Sequence, residues 1–304
     1  METFIDPRTL ARVKDMPLIA KTVAEGFLHG LQPSQQRGIG IEFSQYRSYE
    51  PGDELNRIDW KLFARSDRYF VHEAERESET KIWFVLDASA SMAHQSQDNQ
   101  TQIIDSNWSK FDYSRHLIAT LAYLALKQGD SVGFIGLSTA SLSFLPPQGG
   151  DQQWHAILQQ LHSISPGNKF PDKRLLTKHI NEVQKPGLVF FLSDFYQVDN
   201  EISDLLTHIG HGQSEVVALH MQCNDELVFP YKGAVRFQDL ESNEQVLISA
   251  TTAKASYLQA MQAHLLSIKK HLSKSQVNYY QVNTSDPLDQ VLFDYLSLRA
   301  KGLD

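Results

Sequence analysis

Lys81-Ile82-Trp83-Phe84-Val85-Leu86-Asp87-Ala88-Ser89-Ala90-Ser91-Met92 joins two unlike halves. Ile82 to Leu86 is an unbroken apolar run with β-branched and aromatic members. It is too short for a helix and predicts a strand buried on both faces. The run then breaks into Asp87-x-Ser89-x-Ser91, three oxygen-bearing side chains set two residues apart. The carboxyl end of a central parallel strand is where open α/β sheets hold their ligands. One carboxylate and two hydroxyls are hard ligands, suited to Mg²⁺, Mn²⁺ or Ca²⁺ and not to zinc or copper. The competing reading gives the serines to the free amides that open the next helix.

A second run, Leu188-Val189-Phe190-Phe191-Leu192, is again wholly apolar and ends in Ser193-Asp194. Two buried strands that end in aspartates predict two carboxylates at one edge of a sheet. Around them the chain alternates. Residues 111–128, 152–164, 173–183, 201–209 and 252–273 carry helical spacing; 131–138, 215–220 and 277–282 read as strands. This pattern predicts a doubly wound, mainly parallel sheet with helices on both faces. Residues 141–145 read as a short hairpin partner stopped by Pro146-Pro147. Residues 234–240 and 245–248 flank a Glu-Ser-Asn-Glu turn and predict a hairpin added to the sheet's edge or top. Asp286-Pro287 opens a last helix.

The N-terminal portion differs. Leu10 to Leu31 suggests one or two amphipathic helices, interrupted at Pro17 and stopped near Gly30. From residue 37 to 68 five arginines alternate with acids and large aromatics, around the turn Pro51-Gly52-Asp53. Arg47 and Arg57 facing Asp53 and Asp59 would make fork-like pairs that fix irregular backbone; the alternative is a docking surface. Residues 69–80 alternate and are acidic, as suits an edge strand feeding antiparallel into the central one. The division expected is 1–80 as a helix and motif block and 81–304 as the main domain, with its hairpin insertion near 226–250. The polar stretch 93–109 reads as a surface insertion or as a lid beside the Asp87 edge.

The 304 residues are 41% hydrophobic and 21% charged, ordinary for a globular chain. The formal net charge of −8 argues against a nucleic-acid partner, whose affinity rests on neutralised phosphates. A single cysteine, Cys223, excludes an internal disulfide. No run reaches the ~20 apolar residues of a membrane span, and no basic-then-apolar leader opens the chain. A cytoplasmic location is the expectation.

The pairing of Asp87-x-Ser89-x-Ser91 with Asp194 resembles the von Willebrand factor type A fold and its metal-ion-dependent adhesion site. The resemblance implies one divalent cation held by Asp87, Ser89, Ser91 and Asp194, with a partner carboxylate in the open position. It also implies a threonine from a third loop. That loop here reads Ser165-Pro166-Gly167-Asn168-Lys169, without the threonine and with a lysine unfavourable beside a cation. A longer resemblance rests on Arg47, Tyr49, Gly52, Asp53, Arg57, Asp59, Trp60 and Arg65. It continues through Gly129-Asp130, Leu192-Ser193-Asp194-Phe195 and Tyr295-Leu296-x-x-Arg299. These residues are similar to a bacterial family catalogued as domain of unknown function fifty-eight. That resemblance implies a von Willebrand A-like domain working with a MoxR-type AAA+ ATPase on a client protein, as a non-enzymatic adaptor in complex assembly or maturation.

The enzymatic alternative is a Mg²⁺-dependent aspartyl phosphotransferase of haloacid-dehalogenase type, with Asp87 as nucleophile and Ser193 as phosphate contact. That chemistry uses an acid two residues on, and here the position is Ser89. Twelve histidines include no His-Glu-x-x-His, and no Gly-Lys-Ser/Thr phosphate loop occurs. His208 and His211 sit at an expected helix end, where positive charge is favoured.

Overall fold

Both apolar runs form strands of one six-stranded sheet in the computed structural model. It describes residues 15–35, 46–48, 70–72, 80–96, 108–138, 142–167, 169–171, 179–196 and 200–301. The chain divides into two units, Met1–Leu28 with Thr80–Asp304, and His29–Glu79. In the smaller unit β1 (Tyr46–Ser48) pairs antiparallel with β2 (Phe70–His72).

In the larger unit the main sheet is built of β3 (Lys81–Asp87), β4 (Ser131–Leu137), β5 (Leu142–Gln148), β6 (Gly187–Ser193), β7 (Ser214–Gln222) and, after a separate hairpin β8–β9 (Ala234–Gln238 and Gln245–Ser249), β10 (Val277–Asn283). Their spatial order is β10-β7-β6-β3-β4-β5. Every neighbouring pair is parallel except β4–β5. From β3 the chain winds outward through β4 and β5, then returns to β6 on the other side of β3. The winding therefore reverses between β3 and β6, the place where doubly wound sheets open a crevice at their carboxyl ends. Asp87 and Asp194 stand on the two sides of that reversal. This is the von Willebrand A-like architecture expected.

Alternate side chains of β3 serve opposite faces. Trp83 and Val85 join Val189, Phe191, Leu205 and Leu272 in one buried cluster. Phe84 turns the other way and stacks on Phe190, ring centroids 5.3 Å apart. Helices Glu201–Gly210 and Ala250–Ser273 supply the first cluster with Leu205 and Leu272. Helix Lys110–Lys127 buries Leu117 and Ile118, and the final helix, Leu288–Lys301, places Tyr295 against Phe190.

Four expectations need correction. The first helix is a single one, Met16–Gln35, and Pro17 opens it instead of interrupting it. A first-turn proline gives up an amide that no carbonyl would have received, and Asp15 Oδ1 accepts from the Leu18 amide at 3.1 Å. Gly30 does not stop it. Phe70–His72 pairs with β1 and not with the central strand, whose two edges are both taken by parallel partners. β5 runs on through Pro146 and Pro147 because it is the sheet's edge. There the Gln153 side-chain Nε2 donates to the Val132 and Pro146 carbonyls at 2.6 and 2.9 Å. Finally, the hairpin forms as expected from β8 (Ala234–Gln238) and β9 (Gln245–Ser249), but of its two expected placements the sheet's edge is excluded: it is a two-stranded sheet of its own and adds no strand to the main one. Of the helix expected over 173–183, residues 173–178 lie outside the described residues, as do 97–107 of the polar insertion.

Candidate functional site

Parallel pairing of β3 with β6 sets their carboxyl ends side by side, so Asp87, Ser89, Ser91 and Asp194 meet at one rim. Ser193 Oγ donates to Asp87 Oδ2 at 2.6 Å, and the Ser89 amide donates to Asp87 Oδ1 at 2.8 Å. The Ser89 and Ser91 hydroxyls lie 3.1 Å apart. Ser91 Oγ donates to Asp194 Oδ1 at 3.2 Å. The serines thus link the two carboxylates across the rim. The helix-capping alternative fails at Ser89, which precedes the 3-10 turn Ala90–Ala93 without a side-chain cap. The third loop lies against the same segment through Gly167 N–H donating to the Ala88 carbonyl at 3.0 Å. Asn168 is outside the described residues. Lys169 is exposed, and its charge acts on Asp239 and Glu241 of the β8–β9 turn.

The rim holds a cation of its own. Lys110 Nζ donates to Asp194 Oδ2 at 2.7 Å and to Glu226 Oε1 at 2.9 Å. Its nitrogen lies 4.8 Å from the centre of the Tyr196 ring, and the Tyr196 hydroxyl donates to the same Glu226 oxygen at 3.2 Å. Glu226 Oε2 accepts from the Cys223 amide at 2.7 Å. Glu226 belongs to a five-residue helix, Asn224–Val228, set directly after β7. Burial alone would lower the pKa of the Lys110 ammonium; the charges of Asp194 and Glu226 outweigh it and raise it above the ordinary lysine value. Asp87 is pushed up to about 7, first by burial and then by the charge of Asp194.

A divalent cation suits six or more free oxygens. Here both Asp87 oxygens accept hydrogen bonds, and Asp194 Oδ2 is bound to a buried ammonium. With Lys110 in that place, the residues present do not fit a divalent ion beside Asp194. The phosphotransferase geometry is also missing. Asp87 is fully enclosed, and Ser89 stands where the general acid belongs.

Lys110, Tyr196 and Glu226 escaped the sequence reading. One signal was present: a lysine opening a helix opposes the helix dipole. A neighbouring group was missed too. His94 Nε2, Cys223 Sγ and an Asp225 oxygen fall within 4.8 Å of one another. Hydrogen bonds account for their approach: His94 Nε2 lies 3.1 Å from Asp225 Oδ2, Tyr231 donates to that oxygen, and the thiol faces the His94 carbonyl. Of the motif block, Arg47 lies in β1. Tyr49, Gly52, Asp53, Arg57, Asp59, Trp60 and Arg65 lie outside the described residues.

Beside the rim opens a cleft of about 390 Å³, lined by Ser91, Tyr196, Glu226, Asp239, Glu241 and His264 among others. A larger cavity of about 700 Å³, between helix Ala250–Ser273, β10 and the last helix, is lined by none of the rim residues. Among the described residues no helix is long and apolar enough to cross a membrane.

The chain is similar to the uncharacterized proteins Rv1480 of Mycobacterium tuberculosis and Mb1516 of Mycobacterium bovis, 27% identical over 243 residues in each case. That covers 78% of this chain and 72% of each of those. It is 25% identical to the uncharacterized protein YeaD of Bacillus subtilis over 137 residues, 45% of this chain and 30% of that one. Among solved structures, the conserved hypothetical protein BatB from Bacteroides thetaiotaomicron is 16% identical. The likeness covers 73% of this chain and 99% of that one, with a TM-score of 0.43. The SpRpn10 VWA domain is 10% identical over 70% of this chain and 93% of its own, TM-score 0.37. A family model described as "Protein of unknown function DUF58" matches residues 45–265, and the chain belongs to that family.

Proposed function

We propose that the chain is a non-enzymatic protein-binding module that offers the carboxyl-end rim of its sheet, and the cleft beside it, to a partner. The observation that supports this most is the β8–β9 hairpin. Its turn walls the cleft with Asp239, Leu240 and Glu241, while Leu240, Val246 and Leu247 stand 41%, 57% and 66% exposed. Three exposed large apolar side chains on one hairpin, whose turn borders a polar cleft, support an interaction surface there. Asp87, the one residue at the rim with the position of a nucleophile, is fully buried, with each of its oxygens accepting a hydrogen bond.

In this proposal the partner is a MoxR-type AAA+ ATPase, and the complex acts on a client in assembly or maturation; the support is the family resemblance. The test is co-purification of the full chain with the MoxR-type ATPase of the same cell, each expressed recombinantly. Leu247→Asp and Glu241→Lys should each weaken association tenfold or more. Full association of both variants would move the surface elsewhere. Hydrolysis of p-nitrophenyl phosphate with Mg²⁺, abolished by Asp87→Asn, would overturn the non-enzymatic reading.

A further inference from the structure

We infer that the Lys110 ammonium is the resident cation of this rim: it stands where a divalent ion would neutralise Asp194, so the rim is assembled without metal. This inference concerns how the rim is built and holds whether or not the hairpin docks a partner.

Lys110 occupies a position that local preferences oppose twice. It is the first residue of helix Lys110–Lys127, where the exposed amides favour anions. It is also fully buried, a setting in which lysine is rare unless paired. Only the site explains it. Two carboxylate oxygens, from the end of β6 and from the helix after β7, converge on one nitrogen at 2.7 and 2.9 Å. An aromatic face lies 4.8 Å away, a distance at which the ring quadrupole attracts a cation. Three elements distant in sequence are thereby tied by one charge.

The backbone fixes that charge in place. The Lys110 amide donates to the His94 carbonyl at 3.0 Å, and Gln95 bridges Ser109. The two ends of the polar insertion are therefore pinned to each other just after Ser91. Ser109 caps the helix by accepting from the Asp112 amide at 2.9 Å. The helix thus starts at the rim, and its first side chain reaches Asp194.

A divalent ion bridging Ser91 and Asp194 would sit against this ammonium. It would also compete for oxygens already donated to by Ser91, Lys110 and the Tyr196 amide. The missing third-loop threonine agrees with that exclusion. Removing the ammonium leaves Asp194 and Glu226 facing one vacated space, two hard carboxylates that would themselves recruit a divalent ion.

The experiment is calorimetric titration of the full chain with MnCl₂ and MgCl₂, with melting curves in chelator and in Mn²⁺. It uses wild type, Asp194→Asn, Lys110→Ala and Lys110→Ala/Asp194→Asn. Wild type should show no binding that depends on Asp194 and no shift in melting temperature. Lys110→Ala should bind Mn²⁺ and melt higher in its presence, and the added Asp194→Asn should abolish that binding. If Lys110→Ala folds only with Mn²⁺ present, the inference is equally supported. Wild-type binding of one Mn²⁺ that Asp194→Asn removes would overturn it. So would a Lys110→Ala chain that neither binds Mn²⁺ nor regains its fold with it.

Discussion

The Lys110 ammonium lies 2.7 Å from Oδ2 of Asp194, and both side chains are 1% exposed. Each ion would be costly alone in that setting, and each makes the other tolerable. Breaking a buried pair from one side strands the remaining charge, at a cost of about 3–5 kcal/mol. Lys110→Met should lose stability on that scale in urea denaturation with chelator present. Lys110→Met/Asp194→Asn should recover part of it. Simple additivity of the two substitutions would show that the pair is not coupled.

Tyr196 contributes in two separable ways. Its hydroxyl donates to Glu226 at 3.2 Å, while its ring faces the ammonium. Tyr196→Phe removes only the first and should cost about 0.5–1.5 kcal/mol. Tyr196→Ala removes both and should cost clearly more. Equal losses in the two variants would leave the ring without a role.

Asp87 makes stability depend on pH. Its pKa in the folded chain is pushed up to about 7 from an ordinary 3.8, by burial and then by Asp194. Between those values the folded chain holds a proton that the unfolded chain has released. The contribution of this carboxyl therefore falls as pH rises through that window and is level above it. His220 works the other way: burial lowers its pKa to about 3 from 6.5, so its contribution rises with pH over that interval. The difference between wild type and Asp87→Asn isolates the first effect. It should move in the variant's favour as pH rises, by at most ~1.4 kcal/mol per pH unit. A difference that stays flat between about pH 4.5 and 7.5 would place the Asp87 proton elsewhere.

Close packing of β3 on β6 has its own test. A Cβ on Gly187 would meet the Lys81 carbonyl oxygen of the neighbouring strand at 2.3 Å, whereas a Cβ on Gly149 meets nothing within 4 Å. Gly187→Ala should cost about 1–3 kcal/mol, the range of an overpacked interior. Gly149→Ala should be near neutral in the same denaturation series.

The sheet was legible because buried parallel strands are continuous apolar runs, and Ile82–Leu86 and Leu188–Leu192 stand out as such. Their terminal aspartates came with them, since parallel pairing aligns strand ends. What stayed hidden depends on other physics. Lys110 in Ser109-Lys110-Phe111 looks like a solvated residue at a helix start; only the folding of β6 and β7 brings Asp194 and Glu226 to it. Glu226 lies on a helix of five residues, too short to show periodicity. Pro17 and Pro146 look like breaks in the sequence, but a first turn and a sheet edge both forgive a missing amide.

Anomalous diffraction at the manganese edge, from crystals of the unmodified chain soaked in MnCl₂, probes the rim most directly. The ammonium account predicts no peak between Ser91 and Asp194, with Lys110 still bound to Asp194 and Glu226. A manganese peak there, with the lysine swung aside, would contradict it.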